Sequence, residues 1–128
     1  MTWLQPPGFV HMMISNTWAE TTVQAAGAPF PFAAMRSADG KSLLLRAVNT
    51  YGGSWPFNVT LTGVAASGTD ATVWTLGGEA FVKSDDNTPA EPTKVSPIRT
   101  SMPLAAGATS LSYTMEMNQF VNIIVPLQ

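Results

Sequence analysis

The sequence predicts an all-β protein, an antiparallel β-sandwich of about seven or eight strands with a short N-terminal helix. Three observations carry that class. Beyond Thr21, apolar side chains recur at every second position, the period of a strand with one buried face. Turn residues cut the chain into short segments, at Asp39-Gly40, Gly52-Gly53, Gly77-Gly78 and Ala105-Ala106-Gly107. Hydrophobic residues make up 45% of the 128 positions and charged residues 11%, a balance that supplies a core large enough for one domain without staples.

The first twenty residues follow a different period. Pro6, Pro7 and Gly8 are expected to break the chain. The spacing then predicts a helix of two or three turns over Phe9–Trp18, with Phe9 and Met13, Val10 and Ile14, and Ile14 and Trp18 as i,i+4 pairs. Its apolar face is too wide to stand in water, so it must pack on something. Residues 1–20 are thus a helical lead-in, and 21–128 the sandwich.

In the sandwich, Phe57, Val59 and Leu61 alternate with Asn58, Thr60 and Thr62, and Leu111, Tyr113, Met115 and Met117 alternate with Ser112, Thr114 and Glu116. Leu43–Val48, apart from Arg46, and Val121–Val125 are apolar at nearly every position, as central strands covered on both faces are. Weaker strands are expected at Thr21–Ala25, Phe32–Arg36, Ala71–Leu76 and Val95–Thr100. Asp39-Gly40 should close a hairpin between Phe32–Arg36 and Leu43–Val48, because Asp-Gly accepts the positive φ of a tight turn. Lys83–Thr93 is too polar and too rich in proline for a strand and is expected to be a long, floppy loop.

Composition excludes several functions. With six Lys and Arg against eight Asp and Glu the net charge is −2, so no basic stripe exists to hold a phosphate backbone. No apolar run approaches about 20 residues, so no membrane-spanning segment is expected. The N-terminus has neither an early cation nor a continuous apolar stretch and does not read as a secretory signal. There is no Cys, and His11 is the sole His, which removes thiolate and His-based metal sites and any triad built on His. His11 is expected on the polar face of the helix or in a cap contact.

Two carboxylates on a rigid frame would be needed for glycoside hydrolysis. Asp39 lies in a turn, while Asp85, Asp86 and Glu91 share one loop, so the solvated-loop reading is preferred and no catalytic residue is assigned. A Ca²⁺ site from Asp85, Asp86 and Asn87 oxygens lacks the spacing of a recognised loop, and neither a metal nor another cofactor is expected. The aromatics are the better candidates. Tyr51 and Trp55 flank the Gly52-Gly53 turn, and with Trp74 they form a candidate platform on which the C–H face of a sugar ring could stack. The competing reading folds Trp55-Pro56 over the end of the core. Trp3 and Trp18 belong to the lead-in and are expected to face a neighbouring domain. Asn58-Val59-Thr60 fits a glycosylation sequon inside a strand.

Several stretches, in order, resemble one enzyme family. Trp3-Leu4-Gln5-Pro6-Pro7-Gly8-Phe9-Val10 with the helix through Met12, Met13 and Ile14 resembles the end of the catalytic barrel in α-L-arabinofuranosidases of glycoside hydrolase family 51. Ser42–Asn49 resembles the Leu-Val-Leu-Arg-Val-Val-Asn strand that follows it, and Phe57–Gly63 continues the similarity. Asp86–Pro97 resembles the family's Asn-containing Pro-x-x-Val-x-Pro segment, and Phe120–Val125 its closing strand. The resemblance implies the family's C-terminal β-sandwich, which packs on the catalytic barrel. It carries over no catalytic role, because the family's two catalytic Glu residues lie upstream of the matched region. It also implies strands supplied from the parent enzyme's N-terminus, whose lack would leave a sheet edge open to association.

The expected role is therefore an ancillary, non-catalytic sandwich of a hemicellulose-degrading enzyme. Its partners would be a catalytic barrel, or a second copy through the N-terminal helix and an open sheet edge. The alternative is a stand-alone carbohydrate-binding module for arabinose- or xylose-containing polysaccharide, on Tyr51, Trp55 and Trp74. A small hydrolase using Asp85, Asp86 or Glu91 is the third reading.

Overall fold

The computed structural model describes residues 3–81 and 86–128. Its elements in chain order are α1 (Pro6–Asn16), β1 (Thr21–Val23), β2 (Phe32–Arg36), β3 (Ser42–Val48), β4 (Trp55–Thr60), β5 (Ala71–Gly77), β6 (Ile98–Met102), β7 (Ser110–Met115) and β8 (Gln119–Pro126). Two antiparallel sheets face each other: a six-stranded sheet in the order β1-β2-β3-β8-β5-β6 and a two-stranded sheet of β4 and β7. The predicted sandwich is therefore present with eight strands, and the two apolar runs, β3 and β8, lie side by side in the middle of the large sheet.

Alternation sorts the side chains between the two faces. Leu43, Leu45 and Ala47 of β3, Ala71 and Val73 of β5, and Val121, Ile123 and Val125 of β8 point inward to meet Phe57, Leu111 and Met115 of the small sheet. The residues between them point outward. Leu44 and Ile124 pack with Met35 and Ala19, while Trp74, Leu76 and Phe120 pack with Met13, Phe9 and Val10 of α1 and with Val95. The large sheet is thus covered over part of its outer face by α1, Ala19 and Val95. This is why β3 and β8 can be apolar at both phases of the period.

The helix starts earlier than expected. Pro6 and Pro7 do not break the chain; they occupy its first turn. Proline lacks the N–H that the first helical turn cannot satisfy anyway, and its fixed φ suits the position. Gln5 O accepts from the N–H groups of Gly8 (2.8 Å) and Phe9 (3.2 Å) to begin the ladder. The helix also ends earlier, at Asn16, so Trp18 lies beyond it and is 65% exposed.

The connections from β3 to β4 and from β7 to β8 both cross between the sheets, and one buried residue holds the two together. Asn49, 1% exposed, donates from Nδ2 to Gly53 O (2.9 Å) and Glu116 O (2.9 Å), and its Oδ1 accepts from Tyr51 N–H (3.0 Å). At the end of β5, Gly77 has φ +83, and a Cβ there would meet Asn118 O at 2.6 Å, so only glycine fits. The Asp39-Gly40 hairpin forms as expected: Gly40 has φ +72, and its carbonyl accepts from Arg36 Nη2 (3.0 Å).

The loop after β5 is not floppy over its described part. Asn87 is 2% exposed; its Nδ2 donates to Leu4 O (2.8 Å) and Val95 O (2.8 Å), and its Oδ1 accepts from Val95 N–H (2.7 Å). Its backbone carbonyl accepts from Trp3 Nε1 (3.0 Å) and Gln5 Nε2 (2.9 Å), while its N–H donates to Gln5 Oε1 (3.1 Å). One asparagine so ties the loop to the segment that leads into α1. Asp85 lies outside the described residues.

Candidate binding surface

The two sheets are unequal, and the small one leaves part of the large one uncovered. Between β4 and the β1–β2 side of the large sheet runs an open groove of 670 Å³. Phe30, Phe32, Leu43, Leu45, Phe57 and Val59 line it, and residues 24–29 form a wall. Three of its rings interlock edge to face: Phe30 lies 5.4 Å from Phe57, and Phe32 lies 6.4 Å from each of them. These rings are packed on one another beneath a lining that also includes Gln24, Asn58, Thr60 and Thr62.

One border of the groove is the free edge of β4. Leu61 N–H donates to Thr109 O at 2.7 Å. With the register Val59↔Leu111 and Phe57↔Tyr113, the two-residue alternation of an antiparallel ladder turns the N–H groups of Phe57 and Val59 toward β7 and those of Asn58 and Thr60 away from it. Pro56 falls on the outward phase, where its missing N–H costs the ladder nothing.

At the turn that enters β4, Tyr51 and Trp55 stack on each other with ring centroids 4.8 Å apart and planes inclined by 22°. Tyr51 is held further by its hydroxyl, which donates to Pro29 O (2.9 Å) in the groove wall, yet it remains 43% exposed. Because the rings stack, each offers a ligand only its other face. Trp55 is also packed against the core, as the competing sequence reading had it. Trp74 is not brought to this pair. It lies on the outward phase of β5, beneath α1, on the opposite face of the large sheet. Alternation places a residue on one phase of a strand but does not say which phase faces which layer, so the sequence carried no signal to separate Trp74 from Trp55.

Several of the described carboxylates serve local tasks. Asp39 Oδ1 accepts from Ser37 Oγ (2.6 Å) and Lys41 N–H (2.9 Å), and these bonds, Ser37's foremost, hold its pKa below 3.8. Glu20 accepts from Ala38 N–H and Glu79 from Ser54 Oγ. Among the described residues no group of His, Asp and Glu is placed to hold a metal ion. Of the conjectured Ca²⁺ ligands, Asn87 Oδ1 accepts from Val95 N–H, and Asp85 lies outside the described residues. Burial, and after it the Glu116 carboxylate, raises the Tyr113 pKa, which keeps that phenol neutral. His11 is exposed on α1.

Signals missed in the sequence are the buried amides. Asn49, Asn87 and Asn122 are all buried, and each organises backbone or a cation that lies far away in the chain. Asn122 Oδ1 accepts from Arg46 Nε (2.9 Å), and its Nδ2 donates to Thr17 Oγ1 (3.0 Å). Arg46 Nη2 reaches Thr17 O (3.2 Å), placing a cation at the C-terminal end of α1, where the helix dipole favours it.

No protein-family model and no curated protein matches the sequence. Solved structures do match the fold. The α-L-arabinofuranosidase of Thermotoga maritima, solved with arabinose, aligns with a TM-score of 0.81 at 22% identity, over 97% of this chain and 29% of that one. An arabinose-bound family 51 α-L-arabinofuranosidase aligns with a TM-score of 0.85 at 13% identity, over 100% of this chain and 20% of that one. A bifunctional glucanase–xylanase from a metagenome library aligns with a TM-score of 0.61 at 21% identity, over 87% and 19%. The chain thus spans less than a third of the length of the enzymes that it resembles. Its architecture, a β-sandwich with a helix on its back, is that of a domain-sized part of family 51 α-L-arabinofuranosidases, as the stretches of similar sequence imply.

Proposed function

We propose that this chain is a non-catalytic, ancillary β-sandwich of an arabinofuranosidase-like glycoside hydrolase that degrades arabinan or arabinoxylan. It packs on a catalytic barrel and takes part in that enzyme's assembly. The observation that carries the reading is the unequal sandwich: six strands face two, and the shortfall is an apolar groove beside a free strand edge. An edge with unpaired donors next to an apolar floor is a seat for one more strand. The parent enzyme is its source in this reading, in keeping with the share of such enzymes that the fold spans. The local bonds of Glu20, Asp39 and Glu79 are in keeping with a structural role for those carboxylates.

Light scattering over a concentration series, with an apolar fluorescent dye titrated in parallel, tests this. The isolated chain should gain mass with concentration and bind the dye, and Val59→Lys, on the groove floor, should weaken both. A dye-silent monomer would overturn the incomplete-sandwich reading. Release of arabinose from an aryl α-L-arabinofuranoside by the chain alone would overturn its non-catalytic half.

A further inference from the structure

The turn between β3 and β4 carries a second feature that strand completion does not use. Gly52 and Gly53 are consecutive, yet neither has a positive φ, and a Cβ on either would meet nothing within 4 Å. This contrasts with Gly77, which both its φ and its crowding require. Neither conformation nor packing calls for glycine at 52 and 53, and their consequence is a strip of bare backbone on the surface.

Side chains suited to a sugar border that strip. Tyr51 is exposed over 43% of its surface although it is fixed at three points: its N–H on Asn49 Oδ1, its hydroxyl on Pro29 O, and one ring face on Trp55. An exposed ring that is already immobile loses little entropy when a ligand stacks on its free face. On the far side of the glycines, Ser54 Oγ donates to Glu79 Oε1 at 2.8 Å, which steadies an exposed carboxylate beside the turn. A flat apolar face, an unobstructed strip of backbone and a held carboxylate are the elements that bind a neutral sugar, through its C–H face and its hydroxyls.

We infer that the β3–β4 turn is a surface subsite for a short neutral oligosaccharide, with Tyr51 as the stacking face and Glu79 as the hydroxyl acceptor. Trp55 acts behind Tyr51 as a positioning residue, and Trp74 has no part. The site adjoins the groove, since Trp55 lines it and Tyr51 bonds to Pro29 in its wall, but Tyr51, the two glycines and Glu79 are not among the residues that line it, so the inference does not rest on an added strand.

The test is a titration of the full chain with α-1,5-linked arabinotriose and, in a parallel series, β-1,4-linked xylotriose, followed by amide and indole NMR. Saturable shifts confined to residues 49–55, Glu79 and the Trp55 indole are expected with at least one of the two sugars. Gly52→Leu should lower the affinity at least tenfold while leaving the remaining spectrum in place, because its side chain enters open space. Tyr51→Ala should abolish the shifts, and Glu79→Gln should weaken them severalfold. No saturable shift at millimolar sugar in a well-dispersed spectrum overturns the proposal, as do shifts that survive Gly52→Leu unchanged. Loss of self-association in Val59→Lys with sugar shifts intact would separate this site from the groove.

Discussion

The two faces of the six-stranded sheet are finished by different means. The outer face is closed by the chain itself: α1 lies across β5, and Asn87 fastens the segment before the helix to the loop after β5. Among the described residues every buried side-chain polar atom has a partner, and Arg46 and Asn122 are bonded to the helix end at Thr17. The inner face is closed over its centre by β4 and β7, and beyond β4 runs the groove, with Phe30 and Phe57 buried and Phe32 half-buried along it. A face finished within the chain is specified by directional bonds from buried amides. The inner face beyond β4 is bordered instead by a strand edge, with its apolar side chains packed among themselves.

Substitutions on the two faces should therefore fail differently, and the largest effect belongs to the inner core. Phe57 is buried between Phe30, Phe32 and Tyr113. Phe57→Ala should cost about 3–5 kcal/mol, the usual loss for an emptied aromatic site, read as a lowered urea midpoint. The small sheet has just two strands to share the loss, so the near-ultraviolet signal of Tyr113 and Trp55 should collapse with it.

Asn87→Ala tests the outer face. It strips the buried N–H and C=O of Val95 of their partner and frees Leu4 O, at an expected cost of about 2–4 kcal/mol by urea unfolding. The diagnostic is where protection is lost: amide exchange should rise in α1 and at Val95 and stay low in β3 and β8. Uniform loss across both sheets would show that the two faces are not separately closed. Thr17→Val is the smaller version. It removes the hydroxyl that Asn122 Nδ2 uses and should cost about 1–2 kcal/mol, with its effect confined to the helix end.

How far the sequence reveals this arrangement follows from what each signal depends on. Period-two alternation and unbroken apolar runs depend on local burial, so β4, β7 and the central pair β3 and β8 were legible within a residue or two. So was the Asp39-Gly40 hairpin, whose chemistry lies within the turn. Pro6 and Pro7 were misread because proline ends a helix from inside and begins one from its first turn. The local string Pro-Pro-Gly does not say which applies. Asn87 was invisible for a different reason. In the sequence it is one polar residue among Asp86, Thr88 and Glu91, and its partners Leu4 and Gln5 lie more than eighty positions away. Trp74, a candidate for the platform, lies instead under α1, because the period of two fixes sides relative to neighbours and not relative to layers. Of the candidate sugar-stacking residues, two of three came together, and those were the two joined by a short turn.

The smallest expected effect sharpens the comparison from outside both faces. Asp39 sits in the hairpin between β2 and β3, fully exposed, and its charged form is favoured first by Ser37 Oγ and then by Lys41 N–H. A carboxyl whose folded pKa lies below its unfolded value binds its proton less readily when folded. Its contribution to stability is then present above the unfolded value of 3.8 and fades as pH falls through the depressed folded value. Following the Asp39 carboxyl carbon and the Lys41 amide by NMR should give one shared midpoint below 3.8, and Ser37→Ala should move it up toward that value. A midpoint unmoved by Ser37→Ala would mean that the Lys41 N–H bond, not the Ser37 hydroxyl, favours the charged carboxylate. A shifted midpoint with unchanged exchange in α1 would show that the hairpin titrates without disturbing the outer closure, as expected from a carboxylate whose partners, Ser37 and Lys41, lie within its own turn.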